Sequence, residues 1–366
     1  MKIKYLTTKL NLIKGGGANH AIDLMVRSLM QNGHEVKMIT AFSKSNAFEN
    51  LPYLVLEENM ASSHPRKNIP EIVAILKKYE EDTDVYILDA HFFMWGAAFY
   101  KKTGGKSKVI AYIFSFLESM NLFSEAGRPM NFTRKVGLFI QRLWEIFIAK
   151  KNLKFIDWFI YQSPVNILPF KKFGLPNEKS TMICPFVEVH PEAGSPNVEF
   201  RLLFVGRFVL YKGVETLVRA MKLLPKEIKL DLVGDGEEEA NLRKIADDRV
   251  TFHGFKNRNE LGVFYKNASL LVHPTLDPEP FGLTIVEGMN FGLPSISSEG
   301  SGSAWVSGES GLTFKAGDAK DLSSKILMIY NDPALQKSLR EKAIERVKYF
   351  DYKNWLPKLE EVLKKI

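Results

Sequence analysis

Short apolar runs alternate with longer segments whose apolar residues recur at helical spacing, and the alternation holds along the whole chain. In the first half the strand-like runs are Lys4–Thr7, Val36–Thr40, Val85–Leu88, Val109–Phe114 and Trp158–Tyr161. In the second half they are Arg201–Val205, Lys229–Val233, Val250–Phe252 and Leu270–His273. Short apolar runs of this kind read as buried strands. After Gly17, residues Ile22, Met25, Val26, Leu29 and Met30 fall on one helical face; after Lys212, so do Val214, Leu217, Val218 and Met221. Strand and helix in alternation predict an α/β protein with parallel sheets covered by helices on both faces.

A length of 366 residues predicts two such domains. Between Cys184 and Val198 there are three prolines and few long apolar side chains, the mark of a linker. The expected division is a first domain over 1–185, a linker over 186–199, a second domain over 200–345 and a terminal helix over 346–366. There are no internal repeats.

Composition excludes several classes. Hydrophobic residues at 45% and charged residues at 25% fit a soluble globular protein. No apolar run approaches the ~20 residues that span a bilayer. The start, Met1-Lys2-Ile3-Lys4-Tyr5-Leu6, reads as a strand and not as a signal peptide, so a cytoplasmic protein is expected. A single cysteine, Cys184, rules out an intrachain disulfide and fits a reducing compartment. Seven histidines lie scattered without ligand spacing, so no zinc site is expected. The net charge of +8 fits an anionic substrate or membrane surface, or simply a Lys-rich solvated exterior. The lysines are spread over helices instead of packed in a block, so no nucleic-acid partner is expected.

The segment richest in chemistry is Pro274–Gly288. Two glutamates, Glu279 and Glu287, have seven residues between them, including Phe281-Gly282-Leu283 and an apolar run that suits a helix. A buried strand, a glycine turn and a helix start make an anion site, because first-turn N–H groups lack partners. Glu279 falls in the turn. Glu287 falls about two turns into the helix, placed to accept hydrogen bonds from a diol such as ribose. From these residues alone, two ordinary glutamates around a Rossmann turn fit equally well.

This spacing resembles the signature of retaining glycosyltransferases of the GT-B fold, family 4 type (glycosyl transferases group 1). Further elements follow in the family's order: Gly206-Arg207 with Lys212-Gly213, Val233-Gly234-Asp235-Gly236, and Phe252-His253-Gly254-Phe255. Near the start, Gly15-Gly16-Gly17 with His20 and Gly33-His34-Glu35-Val36 resemble its glycine loop and second strand. The resemblance spans most of the chain. It implies a GT-B architecture, two Rossmann-like parallel-sheet domains facing each other across a cleft, with the first binding the acceptor, the second binding the nucleotide sugar, and the last helix crossing back to the first.

By that resemblance Arg207 and Lys212 neutralise the donor diphosphate in place of a metal, both pointing into the open cleft. The physical need is plain: breaking the sugar–phosphate bond releases negative charge, which requires fixed positive charge or N–H donors. Arg207 follows its strand directly, at the sheet edge where ligands of open α/β folds bind. Glu279 is assigned to the sugar hydroxyls and Glu287 to the ribose. Phe281, Gly282 and Leu283 offer backbone N–H groups, Gly206 belongs to the same donor site, and Phe255 lies near the base, uridine or guanosine. Gly16 or Gly17 closes over the diphosphate, and His91, after Leu88-Asp89-Ala90, contacts a donor hydroxyl. A plain tight turn and a structural histidine remain open for these last two. No cofactor beyond the nucleotide sugar is implied. One departure stands out: where the family often has Glu before Val, this chain has Ala304-Trp305-Val306.

The expected activity is retaining, metal-independent transfer of a sugar to a saccharide or lipid-linked acceptor, with surface polysaccharide or glycolipid synthesis as the commonest setting. A sugar-nucleotide epimerase, a phosphorylase-like enzyme or a non-catalytic binding subunit of the same fold are the alternatives. Two look-alikes carry less. Gly105-Lys106-Ser107 ends like a P-loop, but position 100 is Tyr, not Gly. Asp82-Thr83-Asp84 precedes its strand, the wrong end for a ligand crevice. Finally, Val136, Phe139, Ile140, Leu143, Ile146 and Phe147 suit a core-facing helix, the preferred reading. The basic pairs around them, Arg134-Lys135 and Lys150-Lys151, suit peripheral contact with an anionic membrane surface instead.

Overall fold

The structure is a computed structural model of the 366-residue chain; it describes residues 1–61, 67–114, 136–137, 139–140, 143–144, 146–147, 151–172, 175, 177–192, 199–277 and 279–366. These residues form two units. One contains the described residues up to Val187 together with Tyr352–Ile366; the other is Glu188–Asp351.

The first unit is built on seven parallel strands: β1 (Lys2–Thr7), β2 (Glu35–Thr40), β3 (Val55–Glu57), β4 (Val85–Asp89), β5 (Lys108–Ile113), β6 (Trp158–Tyr161) and β7 (Ser180–Met182), in the order β3-β2-β1-β4-β5-β6-β7. β1 lies between β2 and β4, with Ile3 opposite Val36 on one side and Val85 on the other. Every residue of β4 is buried, as expected of a strand covered on both faces. The described helices are α1 (Gly17–Gln31), α2 (Ile69–Lys78), α3 (Ala90–Lys102) and α4 (Pro164–Lys172). α1 buries Ala21, Ile22, Met25, Val26 and Leu29, the predicted stripe less Met30. α2 and α3 pack closely because Gly96 has no side chain; a Cβ there would lie 2.5 Å from Ile72.

The second unit has six parallel strands, β8 (Arg201–Val205), β9 (Lys229–Val233), β10 (Val250–Phe252), β11 (Leu270–His273), β12 (Ser295–Ser298) and β13 (Gly311–Phe314), ordered β10-β9-β8-β11-β12-β13. Its helices are α5 (Val214–Met221), α6 (Glu239–Ile245), α7 (Arg258–Asn267), α8 (Leu283–Met289), α9 (Gly302–Ser307), α10 (Ala319–Tyr330) and α11 (Pro333–Val347). Strand order reverses between β8 and β11, which are neighbours in the sheet. The loops after these two strands therefore diverge and leave a crevice at their carboxyl ends. The last helix, α12 (Leu356–Lys365), belongs to the first unit. There Glu360 accepts from Asn32 at 3.0 Å and bonds the ring Nε2 of His34 at 3.0 Å.

Four strands, β3, β7, β12 and β13, escape the apolar pattern. β3 and β7 are three-residue edge strands with half-exposed side chains. β12 is Ser-Ile-Ser-Ser, yet all four residues are buried, because the hydroxyls bond one another: Ser295 to Ser307 at 2.7 Å, with Ser301 to Ser303 at 2.7 Å nearby. The expectation for Val136–Phe147 is also corrected. The described residues are helical, but Val136, Phe139, Ile140, Leu143 and Phe147 are exposed; only Trp144 and Ile146 touch the core. No helix among the described residues is long and apolar enough to cross a membrane.

Candidate functional site

The crevice between β8 and β11 is framed by glycine. After β8, the Gly206 N–H donates to the Val233 carbonyl at 3.0 Å. A short 3-10 turn, Leu210–Lys212, ends at Gly213, whose φ is +64°. A Cβ at Gly213 would stand 2.0 Å from the Pro274 carbonyl oxygen, so only glycine fits. The Leu276 N–H donates to the Tyr211 carbonyl at 2.8 Å. The turn after β8 and the exit from β11 thus brace each other.

This bracing brings Lys212 and Glu279 together. Lys212 Nζ lies 2.9 Å from both Glu279 oxygens, and His273 Nε2 lies 3.0 Å from Oε2. His273 ends β11 and is 3% exposed. Burial alone would push the Glu279 carboxyl up; the Lys212 ammonium and the His273 ring outweigh that and hold it well below the usual carboxylate range. Lys212 therefore does not project freely, as the sequence led us to expect; its side chain is only 16% exposed. Arg207 does project outward. It is exposed, donates to the Tyr211 hydroxyl, and makes no ion pair among the described residues.

The loop that carries Glu279 is clamped from behind. The Gly302 N–H donates to the Glu279 carbonyl at 2.6 Å. Neither Gly302 nor Gly282 has room for a side chain: Cβ atoms there would lie 2.2 Å from the Pro280 oxygen and 2.7 Å from Ser303 Cβ. Gly282 has φ +106° and caps α8, with no side-chain cap, so Leu283 opens the helix. Phe281 is buried against Trp305 and Phe350. Trp305, at the position where the sequence departs from the family pattern, thus fills an apolar pocket behind the loop. Arg346 holds it there, donating to the Trp305 and Val306 carbonyls at 3.0 and 3.1 Å.

Glu287 sits one layer away. The Tyr265 hydroxyl donates to its Oε2 at 2.7 Å, and Tyr265 stacks on Phe291. Burial raises the Glu287 carboxyl, opposed by the Tyr265 hydrogen bond and by Arg258. Phe255, following Gly254 at φ +68°, is exposed beyond β10. Several buried polar atoms near these loops have no hydrogen-bond partner among the described residues: His273 Nδ1, Thr275 Oγ1, Asp277 Oδ1 and Thr284 Oγ1. Asp277 is raised by burial to about 6. Unsatisfied polar atoms of this kind call for an explanation, and a polar ligand supplies one.

Sequence reasoning left His273, Tyr265 and Tyr211 unassigned. His273 carried a readable signal, a polar residue closing an apolar strand. Tyr265 carried none, since its role depends on α7 packing beside α8.

In the first unit, the glycine that the backbone requires is Gly15, where a Cβ would lie 1.8 Å from the Asn11 oxygen. Gly16 is the cap of α1 and has open space around it; Gly17 is the first helical residue. His91 lies in the first turn of α3, its side chain outside the described residues. Beside it Asp89 is buried and accepts from the Thr7 hydroxyl at 2.7 Å and the Tyr5 hydroxyl at 3.0 Å. Burial raises Asp89 to about 6, against those two hydrogen bonds. Asp82 is taken up by Lys2, Lys4 and Lys37 at the opposite strand ends.

Two parallel-sheet Rossmann-like units are the architecture of the GT-B fold, and comparisons agree. Sucrose-phosphate synthase from Thermosynechococcus elongatus matches with TM-score 0.80 at 22% identity, covering 100% of this chain and 98% of that one. Anabaena Alr3699/HepE in complex with UDP and glucose matches with TM-score 0.77 at 18% identity, covering all of both chains. Residues 187–346 match the family model of glycosyl transferases group 1. Lipopolysaccharide core biosynthesis glycosyltransferase LpsE of Rhizobium meliloti is 35% identical over 156 residues, 39% of this chain and 43% of LpsE. An uncharacterized glycosyltransferase of Methanocaldococcus jannaschii is 25% identical over 309 residues, 78% of this chain and 77% of that protein. The matched stretch spans less than half the length of LpsE and the other first curated relatives.

Proposed function

We propose that the protein is a retaining, metal-independent glycosyltransferase that moves a sugar from a nucleotide-sugar donor to a saccharide or lipid-linked acceptor. The observation that carries this reading is the juxtaposition, at the β8–β11 switch point, of an exposed arginine that makes no ion pair among the described residues with a lysine bound to a partly buried carboxylate. Arg207 supplies a forked cation for the diphosphate oxygens. Lys212 adds a second positive charge, held in place by Glu279. Departure of the nucleoside diphosphate builds negative charge where these cations stand, so they act more strongly on the transition state than on the bound donor.

Glu279, kept ionised by Lys212 and His273, accepts hydrogen bonds from sugar hydroxyls. The N–H groups of the Phe281–Leu283 turn bind sugar and phosphate. Glu287, oriented by Tyr265, receives the ribose hydroxyls, and exposed Phe255 flanks the base. The acceptor hydroxyl attacks on the face from which the diphosphate leaves, which retains configuration without an enzyme nucleophile. UDP bound in Anabaena HepE and the lipopolysaccharide role in the name of LpsE support a nucleotide-sugar donor and a surface-glycan acceptor.

The test is a panel of UDP- and GDP-sugars assayed for nucleoside diphosphate release, beside thermal shifts with the diphosphates alone. A ligand at 100 times its dissociation constant stabilises by about 2.7 kcal/mol. Shifts without release across acceptors would leave a binding protein; neither shift nor release would end the proposal.

A further inference from the structure

The helical residues between Val136 and Phe147 turn an apolar stripe to solvent. Val136, Phe139, Ile140, Leu143 and Phe147 are exposed, Phe139 at 62% and Phe147 at 64%. Their spacing keeps them on one side of a helix. Trp144 and Ile146 lie to the sides of the stripe and fix the helix to the core of the first unit, Trp144 edge-on to Trp95 at 5.9 Å. A single exposed apolar residue needs no explanation, but a contiguous stripe of aromatic and branched side chains marks an interaction surface.

Charge selects the occupant. Between 134 and 154 the sequence carries six cations, Arg134, Lys135, Arg142, Lys150, Lys151 and Lys154, against one acid, Glu145. A second copy docking through this stripe would bring two such basic segments together. A lipid surface with anionic headgroups matches both features, taking the apolar side chains at the acyl boundary and the cations at the phosphates. We propose that this stripe seats the protein on an anionic membrane surface. The inference does not depend on the transfer reaction, because it uses none of the residues assigned to the donor.

The experiment is co-sedimentation of the full chain with vesicles of phosphatidylglycerol and phosphatidylcholine in equal parts, and with vesicles of phosphatidylcholine alone. The chain should partition to the anionic vesicles and largely stay in solution with the zwitterionic ones. Phe139→Ser with Phe147→Ser should weaken that partition at least tenfold, roughly the loss expected for two buried aromatic rings. Its melting temperature should not change, since both side chains are exposed. Lys150→Ala with Lys151→Ala should weaken anionic binding roughly tenfold or more, at about one kcal/mol for each lysine. Absence of sedimentation, or equal sedimentation of the phenylalanine variant, overturns the proposal. So does a dimer on size exclusion that the same variant dissolves, which would assign the stripe to a second copy.

Discussion

Lys212 reaches from the turn after β8 to the loop after β11 and holds both carboxylate oxygens of Glu279 at 2.9 Å. The pair ties structure to chemistry. Replacing Lys212 by alanine leaves a partly buried carboxylate with the His273 ring as its remaining polar neighbour, so the cost falls on folding as well as on turnover. Chemical denaturation should show a loss of about 1–3 kcal/mol, and turnover should fall roughly 10²–10³-fold. Unchanged stability would mean that the pair contributes nothing to folding.

Arg207→Ala should behave differently. The side chain is exposed and donates only to a neutral tyrosine, so stability should stay within about 0.5 kcal/mol. Turnover should fall roughly 10²–10³-fold, the effect of losing one stabiliser of developing charge. Wild-type kinetics would remove Arg207 from the site.

With arginine and lysine supplying the charge, turnover should survive a chelator. The decisive assay is donor turnover in EDTA. Activity lost there and restored by magnesium or manganese would assign the diphosphate charge to a metal instead.

The two glutamates should separate by calorimetry with nucleoside diphosphate alone. Glu287→Ala removes the proposed ribose acceptor and should cost about 1.5–3 kcal/mol of binding. Tyr265→Phe should weaken the same binding more mildly by freeing the Glu287 carboxylate. Glu279→Ala should abolish most turnover yet leave diphosphate binding intact or tighter, since Lys212 loses its counter-charge. Equal losses for both glutamates would show that the roles are assigned wrongly.

Asp89 gives a pH signature. Its folded-state value is raised from 3.8 to about 6, so the native state holds the proton more tightly than the unfolded chain. The stability this contributes is full below the unfolded value and is lost as pH rises through about 6. The difference corresponds to about 3 kcal/mol. Denaturation at pH 4 and pH 7 should show that component in the wild type and not in Asp89→Asn. An identical pH slope in both proteins would refute the assignment.

The alternation of apolar runs was enough to read nine of the strands and both parallel sheets, because burial on two faces leaves an unbroken apolar mark. It missed β12, where Ser295 and Ser298 are buried through hydroxyl contacts or left without one. Periodicity also misled at Val136–Phe147, since an apolar stripe that faces solvent is written in the same residues as one that faces a core. Local layout was legible: Glu279 before the turn, Gly282 as the cap, and Leu283 and Glu287 in the helix. Contacts formed by folding were not. The close approach of the Asn11 carbonyl to Gly15, while Gly16 has open space, is one such contact, which no local pattern foretells.

The Lys212–Glu279 contact joins residues 67 positions apart, carried by strands that become neighbours only when β8 pairs with β11. Parallel strands cannot pair through a hairpin, and non-local pairings of this kind form slowly. A partly folded second unit that lacks the β8–β11 ladder therefore lacks the anion site altogether. Nucleoside diphosphate binding, if it takes place at this site as proposed, would then report completed sheet assembly, and the ligand added during refolding would select chains in which that long-range step has closed.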